Sequence, residues 1–175
     1  MQTPSLIVTS PYVRTRQSAE PTIRRFPAAP REQWQVQEFT YLAPARYRET
    51  TTADRKPFVD AYWSRCDPYS VDGEGAESFA DFIQRVQKAI DRLWSCRSEF
   101  VAVFGHGLFL RAAIWRLLVG AQPVNPNTMS SFRDFVFATA MPNTAIIKVD
   151  LLANLEEARI SDVITAHLPS ELITH

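Results

Sequence analysis

The stretch from Glu99 to Leu118 leaves few folds open. Glu99-Phe100-Val101-Ala102-Val103-Phe104 is a short apolar run of strand type. Gly105-His106-Gly107 interrupts it, and Leu108 to Leu118 follows, apolar on most faces and long enough for a buried helix. A strand that passes through a Gly-flanked turn into a helix places that turn at the carboxyl end of a sheet, where open α/β folds bind ligands. The two glycines let backbone and ligand approach closely. The helix points unpaired N–H groups and a partial positive charge at whatever fills the turn. His106 in that frame, with Gly107 beside it, favours an anion such as a phosphoryl group. The alternative is a histidine that merely ends a strand; the paired glycines and the helix behind them argue against it.

A second segment repeats the pattern. Leu6-Ile7-Val8-Thr9 is strand-like, Ser10-Pro11 ends it, and Tyr12 to Phe26 reads as a helix. Ser10 fits the N-cap and Pro11 the first helical position. Arg14 then lies about one turn into the helix, and its planar fork suits bidentate phosphate contact. Arg16 reads as an ordinary solvated charge. Pro21 is expected to kink or end the helix.

These residues carry a resemblance. Ser10-Pro11-Tyr12-Val13-Arg14-Thr15-Arg16-Gln17-Ser18-Ala19-Glu20 resembles the Ser-Pro-x-x-Arg signature of the histidine phosphatases, the phosphoglycerate mutase-like superfamily. Phe104-Gly105-His106-Gly107 resembles its second-histidine loop, and Glu77-Ser78-Phe79 with Arg85-Val86 resembles its Glu-Ser helix. Three motifs in order, each on a suitable element, reinforce one another. The resemblance spans about Ser5 to Leu168. It implies a three-layer α/β/α fold and covalent catalysis, in which a histidine of an Arg-His-Gly motif takes up the phosphoryl group while arginines and the second histidine hold its oxygens. Residue by residue, it makes Arg14, His106 and Gly107 the phosphate contacts, and Glu38 and His106 catalytic. Glu38, in Val36-Gln37-Glu38-Phe39-Thr40-Tyr41, takes the place of the general acid. Aromatic neighbours there would desolvate the carboxyl, raise its pKa and suit it to proton donation. A surface charge in a loop is the equal alternative.

The chain also departs from the family. Its three histidines are His106, His167 and His175, and none stands in an Arg-His-Gly motif. The expected fold is therefore the phosphoglycerate mutase-like one with the first strand and helix missing. In the resembled fold that strand lies beside the His106 strand, so its loss would bare strand edges that invite pairing. Either the true N-terminus lies upstream of Met1, the favoured expectation, or the chain rearranges or forms a homodimer to cover the gap. His167 is expected to be structural and His175 a mobile end. As it stands, the chain is expected to be a catalytically incomplete phosphatase of small phosphomonoesters. The second reading is a non-catalytic module that keeps a pocket for a phosphorylated molecule or inorganic phosphate.

Bulk properties narrow the function classes. At 175 residues, one domain is expected, with a cap inserted at about 27–75. Nineteen basic and nineteen acidic side chains cancel, so no global field favours nucleic acid or an anionic membrane. No apolar run approaches the roughly 18 residues of a membrane span, and no leader is visible, so a cytoplasmic location is expected. Cys66 and Cys96 form no Cys-x-x-Cys pair and read as free thiols. The resemblance implies neither a metal nor a cofactor.

Prolines punctuate 27–75, which reads as irregular, with Arg46 or Arg48 as candidates to reach a substrate. Glu77 to Trp94 reads as an amphipathic helix through Phe79, Phe82, Ile83, Val86, Ile90 and Leu93, with Glu77 a first-turn acid. Phe132–Ala138 and Thr144–Val149 read as strands, and Ile160–Leu168 as a last one.

Overall fold

The computed structural model describes residues 2–152 and 157–172. Its parallel sheet grows from the two apolar runs recognised in the sequence. β1 (Leu6–Thr9) lies between β2 (Arg31–Gln33) and β3 (Val101–Phe104). The β1–β3 register sets Leu6 opposite Val101 and Thr9 opposite Phe104. Because successive side chains of a strand face opposite sides, Leu6 and Val8 feed the larger core while Ile7 feeds the smaller.

Helices cover both faces, which gives the expected three layers. On one side α1 (Val13–Arg25) packs Ala19, Ile23 and the following Phe26 against Ile7 and Phe104. On the other side lie α3 (Phe79–Ser95), α4 (Gly107–Val119) and α5 (Pro126–Ala138). Phe82 is fully buried there and stacks on Phe39 with centroids 4.1 Å apart. Aromatic contacts continue from Phe39 through Tyr62, Trp63 and Phe79 to Phe132 and Trp115.

α1 begins at Val13 with Tyr12 as its N-cap, so Ser10 and Pro11 stand before the helix. Ser10 Oγ accepts the Tyr12 N–H at 3.1 Å, and its hydroxyl is directed elsewhere. Pro21 does not end the helix, which runs on to Arg25. Glu77 also lies outside its helix, because Ser78 is the N-cap of α3 and accepts the Asp81 N–H.

Residues 27–75 are more ordered than their prolines suggest. They contain β2, a 3-10 turn at Pro44–Tyr47 and α2 (Thr52–Arg65). A capping box between Thr51 and Asp54 starts α2. Burial of Tyr62 and Trp63 then holds the helix despite Pro57.

The segment Phe132–Ala138 is helical, not extended. Asn125 and Thr128 form a capping box, Pro126 opens the helix, and Met129 and Phe132 bury on one face at helical spacing. Asn125→Ala is expected to lower the urea unfolding free energy by about 1 kcal/mol; a loss below roughly 0.3 kcal/mol would place the start of α5 under tertiary control alone. Thr144–Val149 is not a strand either. Thr144 has φ 62°, in the left-handed region, and only Ile146 bridges, to Ile164. The paired strands are β4 (Val149–Leu152) and β5 (Glu157–Ile160), an antiparallel pair, so Ile160–Leu168 is not a continuous strand.

Both sheet edges are informative. β2 is exposed and charged, as edge strands tend to be. β3 is Val-Ala-Val-Phe, half-buried throughout, and has β1 as its one strand neighbour among the described residues. The bare edge expected beside the His106 strand is found there. No helix among the described residues is long and apolar enough to cross a membrane.

Candidate active site

β3 ends at Phe104 and α4 starts at Gly107, which leaves His106 as the N-cap of α4. Its side chain turns toward the carboxyl end of β1 and is only 6% exposed. Nε2 meets Ser10 Oγ at 2.8 Å. The Arg14 guanidinium donates to Nδ1 through Nε at 3.1 Å and Nη2 at 2.9 Å. Arginine carries donors only, so Nδ1 must offer a lone pair and the neutral ring carries its proton on Nε2. That proton goes to Ser10 Oγ. Ser10 in turn donates to Thr15 Oγ1 at 2.8 Å, and Thr15 donates to the Tyr12 carbonyl at 2.8 Å. Thr15 Oγ1 also reaches the Ser10 carbonyl at 3.3 Å; the Arg14 donors on Nδ1 fix the tautomer.

Burial, with the Arg14 and Arg85 charges adding to it, pushes the His106 pKa down to about 4. An unfolded chain takes up this proton near pH 6.5, whereas the folded one resists until about 4. Stability is therefore retained above pH 6.5 and falls as the pH drops from there toward 4. Urea unfolding across that range should show a contribution approaching one proton that disappears in His106→Gln; an unchanged slope would remove His106 as its source.

Tyr12 completes this corner. Its ring meets the His106 ring edge-on with centroids 5.1 Å apart, and the Arg14 guanidinium lies 4.7 Å over it. An open hollow of about 620 Å³, lined by Pro11, Tyr12, Val13, Arg14 and Gln17, adjoins the pair.

Glu38 lies in a loop, half-buried, and its carboxylate is engaged by backbone amides. Its Oε1 accepts the N–H groups of Phe39 at 3.0 Å, Leu108 at 3.1 Å and Phe109 at 3.2 Å. The carboxylate thus sits on the N-terminus of α4, where the helix dipole favours a negative charge. A Cβ on Gly107 would come 3.8 Å from Glu38 Oε2 and 3.2 Å from Arg111 Nη1, so glycine keeps this approach open. Arg111 is half-buried, and its Nε donates to the Thr139 carbonyl at 2.9 Å. Burial lowers its pKa from the ordinary value while Glu38 opposes the change.

Arg85 holds the Glu38 segment in place. It forms a bidentate pair with Glu77 at 2.8 and 2.7 Å, and its Nη1 donates to the Gln35 and Gln37 carbonyls at 3.0 and 2.9 Å. Its guanidinium also lies over Phe82 and Phe109. Arg46 is engaged by Asp72, again bidentately, at 2.6 and 2.9 Å, and covers Phe58. Arg48 is exposed. His167 Nε2 meets the Thr144 carbonyl at 3.1 Å, while His175 lies outside the described residues.

The structure therefore gathers Arg14, Glu38, His106 and Gly107 around one strand-to-helix turn. Sequence reasoning missed Ser10 as the partner of His106, Thr15 behind it, and Arg111. Arg111 stands four residues after Gly107 in a helix whose other charge is Arg116, a spacing that puts Gly107 and Arg111 on one face; that was the available signal.

A parallel α/β sheet with histidine and arginine at its carboxyl edge, beside a helix N-terminus, defines an α/β protein with a cationic corner of the kind that suits an anion. Residues 2–134 match the model of the histidine phosphatase superfamily (branch 1), and the chain belongs to that superfamily. No curated protein matches it. Among solved structures it is similar to a proposed alpha-ribazole-5'-P phosphatase from Escherichia coli K-12, with a TM-score of 0.57 and 17% identity over 91% of this chain and 73% of that one. At that identity the likeness is one of fold.

Proposed function

We propose that the Arg14–His106 corner binds the phosphoryl group of a small phosphomonoester, or inorganic phosphate, in the manner of a histidine phosphatase. The observation that carries this reading is the guanidinium of Arg14 held against His106 at the carboxyl edge of the sheet. The Gly107 turn adds the dipole of α4, while the Leu108 and Phe109 amides are taken by Glu38. A neutral imidazole beside an arginine leaves the phosphoryl charge to the guanidinium and the backbone. Glu38 is the acid nearest this turn, and donation to a leaving oxygen would require it to leave the α4 amides. Residues 27–75 serve as a cap, with Arg46 locking that cap through Asp72.

The chain as given is proposed to bind phosphate without turning over esters. Its sequence contains no Arg-His-Gly, and both ring nitrogens of His106 are committed to Ser10 and Arg14. A binding module of cytoplasmic type is the form this reading takes for the chain alone. Turnover of p-nitrophenyl phosphate by the chain and by His106→Ala decides it. Saturable phosphate binding without turnover is expected. Turnover that vanishes in the variant would identify a working nucleophile here and overturn the incompleteness.

A further inference from the structure

Arg116 lies toward the C-terminal end of α4, ten residues beyond His106. At 1.5 Å per residue, about 15 Å of helix separates the two. Arg116 is 7% exposed, yet its recorded acceptors are neutral. Nε and Nη2 both donate to Gln87 Oε1, at 3.2 and 3.0 Å, and Nη1 donates to the Gln122 carbonyl at 3.0 Å. Asp91 reaches the group only through an amide, since Gln87 Nε2 donates to Asp91 Oδ1 at 2.8 Å. A guanidinium has five N–H groups. Three are used, so two remain without an acceptor among the described residues. Burial accordingly lowers the Arg116 pKa, with Asp91 opposing. A buried cation without an adjacent acid is costly to keep, which asks what anion completes it.

The surroundings supply a place for one. A cavity of about 170 Å³ lies between α3, the end of α4 and β5, and Arg116 and Gln87 are on its wall. Ile90, Trp94, Leu117 and Ala158 also line it and contribute an apolar part of the wall. At Gly120, whose φ is 76°, an added Cβ would meet nothing within 4 Å, so this side is open.

We propose that this cavity binds a small amphiphilic anion, a carboxylate carried on a short apolar or aromatic body. The carboxylate would take the two idle N–H groups of Arg116, and the body would pack on Trp94 and Leu117. One guanidinium balances one negative charge, so a monoanion fits better than a phosphate dianion in a space with a single cation on its wall. The volume lies below the roughly 300 Å³ at which drug-sized sites begin, which restricts the ligand to a few bonds in length. The site is distinct from the Arg14–His106 corner and does not rest on the function proposed for it.

Benzoate is a suitable probe, titrated into the nitrogen-15-labelled chain while the Trp94 indole N–H and the Gly120 and Ala121 amides are followed by NMR. Saturable shifts confined to that set are expected. Arg116→Lys keeps the charge but loses the fork, and should weaken binding at least about tenfold. Ala121→Trp alters only an exposed wall residue and should block entry with the unfolding midpoint unchanged, which keeps the proposal testable even if Arg116→Lys unfolds. Non-saturating shifts, or affinity unchanged in Ala121→Trp, would overturn the site. Shifts clustered at Gly105–Arg111 would assign benzoate to the other corner and overturn it equally. Inorganic phosphate moving Trp94 as strongly as benzoate would overturn the carboxylate assignment.

Discussion

Arg85→Ala is expected to destabilise the chain by about 3–5 kcal/mol, the range for removing one member of a buried ion pair. Arg85 and Glu77 side chains are 11% and 21% exposed, so water screens little of the charge that remains. The loss is compound. Glu77 loses both of its bidentate donors, and the Gln35 and Gln37 carbonyls lose theirs. Phe82 and Phe109 lose the cation above their rings. Urea unfolding monitored by fluorescence measures the size of the effect. The double substitution Glu77→Gln with Arg85→Met should cost less than Arg85→Ala alone, because it leaves no orphaned charge. A single-variant loss under about 1 kcal/mol would mean that this pair is solvated in solution. The same variant has a local signature. The backbone that presents Glu38 hangs on Arg85, so the Leu108 and Phe109 amide resonances should move as their Glu38 acceptor loosens.

The second large effect concerns the anion. Arg14→Ala should weaken binding of inorganic phosphate by roughly 30-fold, about 2 kcal/mol, measured by calorimetry at low ionic strength. That figure lies in the lower part of the range for charged hydrogen bonds, because Arg14 is exposed and part of its attraction is screened. Arg14→Lys should recover only part of the affinity, since an ammonium cannot reproduce the fork. His106 carries an internal control. Removing Arg14 lifts one contribution to its depressed pKa, while desolvation, the larger cause, stays. The imidazole should therefore titrate above 4 but still below its ordinary range in Arg14→Ala, as read from its ring carbon and nitrogen shifts. Unchanged phosphate affinity in that variant would move the anion site away from this corner.

Much of the fold was legible because its signals are local. The apolar runs at Leu6–Thr9 and Val101–Phe104 became β1 and β3, and the helical spacing of Phe79, Phe82, Ile83, Val86 and Ile90 became the buried face of α3. Phe132–Ala138 reads as a strand because a short stretch rich in Phe and Val suits a strand or a helix alike; Asn125, Thr128 and Pro126, just ahead of it, are the deciding helix-start signals. Thr144–Val149 failed for a different reason. β-rich composition makes a strand only where a partner strand is in register, and here continuous pairing starts at Val149, with Ile146 bridging singly before it.

The site divides along the same line. His106, Arg14 and Gly107 were found in sequence because each lies at a set offset from a strand end, and chain connectivity alone fixes that offset. Ser10 was read as a helix cap because its real partner lies 96 residues away. Glu38 could be named but not placed, since the amides that hold it come from a helix 70 residues further on. By itself, then, the sequence determined the strand-to-helix turns and the types of side chain they carry. Only the tertiary structure decided which of those side chains meet, which nitrogen of His106 holds the proton, and that Glu38 rests on α4. The physical reason is the parallel register that sets Thr9 beside Phe104: it brings the two turns together, and hydrogen bonding and burial then act between groups that the chain keeps far apart.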